Sequence, residues 1–225
     1  MNRKYEVEVK SLLGSRDRAE ALLQAMRTND PKTIQLSQNK QLNHYFQGGD
    51  LSKLSEILAP HLSEDAKRQL EEIATNAREF SVRSRDKDGT VLIVIKISVD
   101  DASSANGVAR LEFEENVSLS LEELDSLILL AGFSYQAKWS REREEYQYKD
   151  TNICLDKNAG YGYVVEFEKV VGDESLIKDA RGEIDSLMLE LGIEELPQDR
   201  LERMFAHYNS HWPEYYGTDK TFSIE

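Results

Sequence analysis

The sequence predicts an α+β protein: an antiparallel β structure of about eight strands, with helices inserted between and after them. Three observations carry this. Short segments such as "KYEVEVK" alternate apolar and polar residues with the period of a half-buried strand. Between them lie stretches with apolar residues at helical spacing, opened by Ser or Asp. The polar faces of the strands carry charges of one sign in pairs, two residues apart.

The chain has 225 residues, 40% hydrophobic and 31% charged, with four prolines, which suits one domain with a sizeable core. A formal charge of -14 argues against nucleic acid as a partner, since such binders present basic surface. It leaves room for an anionic small molecule in a basic interior site. The single Cys154 excludes an intrachain disulfide and a cysteine zinc cluster, and reads as a small buried strand residue. With no apolar signal core and no run of 18 apolar residues, no membrane partner is expected, and the compartment expected is the cytoplasm.

In chain order, the first strand ends near Lys10, and "SRDRAEALLQAM" is a helix capped at Ser15 with Leu22, Leu23 and Met26 on one side. "KTIQLSQNKQLNHYFQGG" reads as two short strands closed by Gly48 and Gly49. A helical insertion follows over about 50–78, interrupted at Pro60, with Asp50 and Ser63 as N-caps. "REFSVRSRDKDGTVLIVIKIS" is a hairpin turned at residues 86–89, and "DDASSANG" a loop. "VARLEFEENV" is a strand, and "SLEELDSLILLAG" a helix capped by Ser120 and stopped by Gly132. Three strands follow, "FSYQAKWSREREEYQYKD", "TNICLDKN" and "YGYVVEFEKVV". Residues 173–225 hold two helical patterns and an aromatic tail, an extension to a domain spanning 1–172.

The charges recur with one spacing. Glu6 and Glu8, Glu112 and Glu114, and Glu166 and Glu168 are acidic pairs; Arg83 and Arg85, and Arg141 and Arg143, are basic ones. Side chains two apart on a strand are separated by about 6.5–7 Å. At an effective dielectric of about 20, like charges at that distance repel by roughly 2 kcal/mol. One such pair on a wet face needs no explanation, but five at one spacing do. Val7, Val9, Leu111, Phe113, Val165 and Phe167 back the acidic pairs, so these strands are apolar on one side. If helices cover the apolar sides, the charged sides converge and the sheet curls into a barrel with a charged lumen. Such a lumen needs compensation. Carboxylates there suit a hard divalent cation such as Mg²⁺, and guanidinium forks suit phosphate oxygens. Acid, base, metal and phosphate together describe phosphoryl transfer.

The ordered series "EVEVK", "NHYF", "VRSRD", "LIVIK", "RLEFE", "SREREEY", "ICLD" and "VVEFE", over residues 5 to about 170, resembles the CYTH superfamily of triphosphate tunnel metalloenzymes. That family includes inorganic triphosphatases, thiamine triphosphatases and class IV adenylate cyclases. The resemblance implies an eight-stranded antiparallel tunnel, helices outside, that binds a triphosphate-containing small molecule with Mg²⁺ or Mn²⁺. It implies metal ligands at Glu6, Glu8, Glu166 and Glu168, with Glu112 and Glu114 in the same acidic lining. It implies phosphate clamps at Lys10, Arg83, Arg85, Lys96, Arg110, Arg141 and Arg143. Among these, Lys10, Arg83 and Lys96 are assigned to catalysis together with Asp156. The family often has Lys where Arg141 stands; Lys138 is the rival, and strand parity favours Arg141. Gln47 replaces the common acidic residue after "NHYF".

His44 reads as a packed strand histidine, and His61, His207 and His211 lack zinc-like spacing. Trp139 shares a face with Arg141 and reads as a rim or core residue, with stacking on a base at a tunnel mouth as the functional alternative. "GYGY" at 160–163 lacks the strand–helix context of a phosphate loop and reads as a strand connection. The expected activity is metal-dependent triphosphate hydrolysis. Adenylate cyclase, releasing pyrophosphate, is the alternative, and only "MNRK" precedes the first strand motif where such cyclases often carry His-Phe. A non-catalytic polyphosphate or nucleotide binder is the alternative outside enzymes. A homodimer is the assembly to test.

Overall fold

A computed structural model describes residues 5–77, 79–98 and 109–224. Eight antiparallel strands form a closed barrel: β1 (Tyr5–Gly14), β2 (Ile34–Gly48), β3 (Phe80–Lys87), β4 (Thr90–Ser98), β5 (Ala109–Asn116), β6 (Phe133–Tyr148), β7 (Thr151–Asn158) and β8 (Gly162–Val171). Around the barrel the order is β1-β5-β4-β3-β2-β6-β7-β8. The seam is β1, which pairs with β8 from Tyr5 to Gly14 but with β5 only over Tyr5–Val7. The "DDASSANG" segment lies outside the described residues, as does the side chain of Arg110, although its backbone pairs with Glu6.

Residues 34–48 form one strand, where the sequence suggested two. The "SQNKQ" stretch is polar on both faces. It continues as a strand because β6 pairs with it along its length, with bulges at Gln35/Ser37 and Tyr45/Phe46. The β3–β4 turn carries Asp88 at φ 50 and Gly89 at φ 86, the left-handed pair a two-residue hairpin needs.

The first five helices pack on the outside, and the last reaches the cavity wall. α1 (Arg16–Asn29) is capped by Ser15, α2 (Leu51–Leu58) by Asp50 and α3 (Glu64–Asn76) by Ser63. Pro60 sits in a 3₁₀ turn between the last two. α4 (Leu121–Leu130) begins with a capping box of Ser120 and Glu123. α5 (Ile177–Leu191) ends at Gly192, and α6 (Gln198–Tyr215) runs through Pro213. Among the described residues no helix is long and apolar enough to cross a membrane.

The apolar residues form three buried patches, two on the outer sides of the strands under helices and one at the cavity wall against α6. Phe46, Val82, Ile93, Ile95 and Phe113 pack with α2, α3 and α4. Val7, Val9, Val165 and Phe167, all fully buried, pack with α1 and α5. Each such side chain contributes roughly 1.5–3 kcal/mol of burial. The third patch is aromatic: Trp139 stacks on Tyr208 of α6 with ring centroids 3.5 Å apart, and Phe205 and Tyr161 join it. The tail closes it, since Gly160 at φ 83 exchanges backbone bonds of 2.8 Å with Lys220 and Phe222. A Cβ on Gly160 would meet the Tyr208 ring at 2.7 Å, so the "GYGY" connection is shaped to receive α6.

Candidate active site

With apolar sides turned outward, the polar sides of the strands line one cavity of about 900 Å³. Its charges are sorted by position around the barrel. β8, β1 and β5 are neighbours and carry Glu166, Glu168, Glu6, Glu8, Glu112 and Glu114. On the opposite side β3 and β6 flank β2 and carry Arg83, Arg85, Arg141 and Arg143. All ten line the cavity, with Lys10 and Lys96. Parity on an antiparallel strand produces this: each same-sign pair must share a face.

Lys96 Nζ stands 2.7 Å from Glu6, 3.6 Å from Glu112 and 3.7 Å from Glu8. Lys10 Nζ lies 2.5 Å from Glu166 and also contacts Glu8. Burial opposes ionisation of Glu166, yet Lys10, Arg143 and Arg141 hold its carboxyl well below the usual range. Burial likewise opposes ionisation of Glu6, and Lys96 lowers it in net. Glu168 behaves oppositely: burial, reinforced by Glu166 and Glu6, pushes it up to about 7 despite Arg143. Burial also raises Glu112, with Glu6 and Glu114 adding to the effect against Lys96.

Glu8 stands directly across the β1–β8 ladder from Glu168, a like-charge pairing that costs stability. Glu6, Glu8 and Glu168 each offer a carboxylate oxygen, and the three oxygens lie within 4.8 Å of one another. Beside them Asn152 donates to Glu168 at 2.9 Å, while its buried Oδ1 has no partner. The three carboxylates are an all-oxygen donor set, which fits a hard divalent cation. Cys154 is 3.5 Å from Glu168, and burial raises its thiol far above the usual range, so it stays protonated and inert.

The arginines are braced in advance. Asp156, fully buried, accepts from Arg141 Nη1 and from Arg143 Nε and Nη2, each at 2.7 Å. Arg143 also donates to Glu166. Arg85 donates to Asn43 and Glu114 at 2.8 Å each, and Arg141 to Gln41 at 2.8 Å. Arg83 differs: among the described residues it makes no ion pair, and its guanidinium lies 4.3 Å over the Tyr45 ring. Burial lowers the Arg85 guanidinium, helped by Arg141 and Arg83, as expected where positive charge is crowded. Lys138, the rival to Arg141, is on the outer face, 4.0 Å from Asp125.

Sequence reasoning missed the amides of β2. Asn39, Gln41 and Asn43 are buried and hydrogen-bonded in a ladder, Asn43 to Gln41 at 3.4 Å and Gln41 to Asn39 at 2.8 Å. They brace the arginines on either side. Their period-2 spacing continues to Tyr45 and was visible, but neutral amides in a strand give no charge signal. The contribution of α6, whose Leu201 and Phe205 also line the cavity, had no local signal at all.

Comparison with known proteins agrees with this geometry. The fold resembles a protein from Pyrococcus horikoshii OT3 at 22% identity and TM-score 0.59, covering 86% of this chain and 94% of that one. It resembles a candidate adenylate cyclase from Vibrio parahaemolyticus at 15% identity and TM-score 0.60, covering 90% and 98%. It also resembles a candidate adenylyl cyclase from Hippeastrum with a dominant triphosphatase activity, at 16% identity and TM-score 0.50, covering 84% and 89%. No curated protein sequence matches the chain. The sequence profile of the CYTH domain matches residues 67–200, more than half of the chain. The chain belongs to the CYTH domain family.

Proposed function

We propose that this protein hydrolyses a triphosphate-containing small molecule with the help of Mg²⁺ or Mn²⁺. The observation that carries the proposal is one lumen with a carboxylate arc facing an arginine arc. Carboxylates alone would suit a cation and arginines alone an anion; a metal–polyphosphate complex needs both. In this proposal Glu6, Glu8 and Glu168 hold the cation, with Glu112, Glu114 and Glu166 completing the acidic lining. When bound, the cation supplies Lewis-acid polarisation of a phosphoryl oxygen and neutralises charge.

Arg85, Arg141 and Arg143 then grip phosphoryl oxygens with forks already oriented by Asn43, Gln41 and Asp156, which limits reorganisation on the way to the transition state. Asp156 serves as a positioning residue, because its oxygens are occupied by two arginines. Lys10 and Lys96 sit among the carboxylates and offer further charge to the chain, and Arg110 belongs to the same set by its strand position. Residues 1–172 supply the tunnel strands, and within 173–225 Leu201 and Phe205 of α6 wall the cavity while α5 packs outside. The Hippeastrum relative, with its dominant triphosphatase activity, supports hydrolysis over cyclisation.

The test is to incubate the purified protein with tripolyphosphate, ATP and thiamine triphosphate, each with Mg²⁺ or Mn²⁺, and identify the products. Orthophosphate released only in the presence of metal is the expected result. Cyclic AMP and pyrophosphate from ATP would make it a cyclase, and binding without turnover a carrier.

A further inference from the structure

Nine glutamates line the cavity, and they divide by their partners. Seven form an ion pair with a lysine or arginine of the same lining, as Glu114 does with Arg85 and Glu145 with Lys87. The other two, Glu79 and Glu202, have no ion pair among the described residues. Glu202 accepts only a neutral amide N–H, from Gln198 at 2.5 Å.

Both belong to one end of the tunnel. Tyr45 pairs with Arg83 and Phe46 with Val82, so the end of β2 lies beside the start of β3, where Glu79 precedes Phe80. The same end of β2 pairs with the start of β6, Gly48 with Phe133. Phe205, within one turn of Glu202 on α6, stacks on Trp139 of β6 with ring centroids 6.1 Å apart. Gln47, Glu79 and Glu202 are exposed, so this end is a mouth. The end of β2 after Tyr45, residues 79–81, the start of β6 up to Trp139 and α6 contribute no basic side chain to the cavity lining. They contribute the Gln47 and Gln136 amides and the Phe80 and Phe205 rings.

The middle of the tunnel is therefore compensated and rich in cations, while this mouth carries negative charge with nothing to balance it. A phosphoryl group placed here meets repulsion and no donor of positive charge. Yet the cavity, at about 900 Å³, has the size of a site for a drug-sized ligand, more than three phosphoryl groups fill. The remainder of a ligand that reaches the mouth must differ from phosphate. Carboxylates and aromatic faces both favour a cation and tolerate a neutral group.

We propose that Glu79 and Glu202 are specificity-determining residues, a charge filter at the α6 end of the tunnel. They turn away a negative group and favour an uncharged or cationic one, so a triphosphate ester lies with its ester group at this mouth and its free phosphoryl end further in. Discrimination comes from the repulsive element as much as from attraction. This rests on the triphosphate assignment above but not on turnover.

The test is calorimetry with Mg²⁺ and three non-hydrolysable ligands: a methylene-bridged triphosphate analogue, its aminoethyl ester and its carboxymethyl ester. The two esters are close in size and differ in the sign of the charge they bring to the mouth. Wild type should bind the aminoethyl ester about tenfold more tightly than the carboxymethyl ester. Glu79→Gln and Glu202→Gln should each narrow that ratio by about threefold, and the double variant should bring it close to one. Glu71→Gln, which removes the same charge from an exposed position on α3, should leave the ratio as in wild type. Raising the salt concentration should narrow the wild-type ratio, because the mouth is open to screening ions, and leave that of the double variant alone. Equal binding of the two esters by wild type, or an unchanged ratio in the double variant, would overturn the filter. So would a Glu71→Gln variant that narrows the ratio as much, since the effect would then belong to net charge. If wild type binds the unesterified analogue and the variants leave the ester ratio unaltered, the filter alone falls. If wild type does not bind the unesterified analogue, the triphosphate assignment falls and takes the filter with it.

Discussion

Two buried polar regions lie back to back on the same strands. On the outer face of β2, β3 and β6, Asp125 of α4 meets His44 at 2.7 Å, Ser84 at 2.5 Å and Tyr135 at 2.6 Å. With His44 Nδ1 donating to Asp125, its Nε2 accepts from the Tyr216 hydroxyl at 2.8 Å. Burial opposes ionisation of Asp125, but bonds from His44, Ser84 and Tyr135 lower it in net. This cluster is complete. It ties a helix, three strands and the C-terminal segment together, and asks for no ligand. On the inner face, Arg83, Trp139, Tyr161 and Asn152 leave atoms unpaired, and Glu8 faces Glu168. The difference separates glue from site: a satisfied network gains stability from its own bonds, while an unsatisfied one becomes favourable only when a ligand completes it.

The hardest test of that contrast is Asp125→Ala, which strands three donors in a buried place. It should cost about 3–5 kcal/mol of stability, read as a lower denaturant midpoint, with KM of the folded fraction unchanged. A shifted KM at full folding would mean that the outer cluster belongs to the site.

Next comes the arginine arc. Arg143→Ala should cost about 2–5 kcal/mol in polyphosphate affinity, because phosphate charge loses its buried partner. Arg143→Lys should recover only part, keeping charge without the bidentate fork. Calorimetry with a non-hydrolysable triphosphate analogue checks this, and normal binding by Arg143→Ala would remove the arc from the clamp.

Glu168→Gln should act in opposite directions on function and fold. Metal-dependent turnover should disappear, while metal-free stability near pH 8 should rise by about 1–3 kcal/mol, since each pKa unit is worth about 1.4 kcal/mol. A loss of metal-free stability would show that the carboxylates are structural. Glu6→Gln makes a weaker version of this test, because Glu6 already has Lys96 at 2.7 Å.

The smallest effect is the pH slope behind that figure. Glu168 is raised from 4.5 to about 7, so between those values the folded state binds more protons than the unfolded one. Its contribution to stability is therefore lost progressively as pH rises from about 4.5 to 7, and is flat beyond. Denaturation in EDTA at several pH values should show this slope in wild type and not in Glu168→Gln.

How much of this was legible depended on how local the signal was. Strand parity is a property of neighbouring residues, so Glu6 and Glu8, or Arg141 and Arg143, had to share a face wherever their strands lay. The caps Ser15, Asp50, Ser63 and Ser120 are local too, and each helix starts where its cap says. The sequence suggests two strands over 34–48 where there is one, because its continuity comes from β6, about a hundred residues later in the chain. Sequence alone therefore determined an antiparallel α+β protein with paired charges on matched faces, because side-chain alternation and capping are set within a few residues. Tertiary structure decided that the acidic strands are neighbours opposite the basic ones, and that Asp156 and the β2 amides brace the arginines. It also decided that Trp139 and Tyr161 face the lumen beneath α6. Each of these depends on which distant strands pair and in what register, and no local preference encodes that.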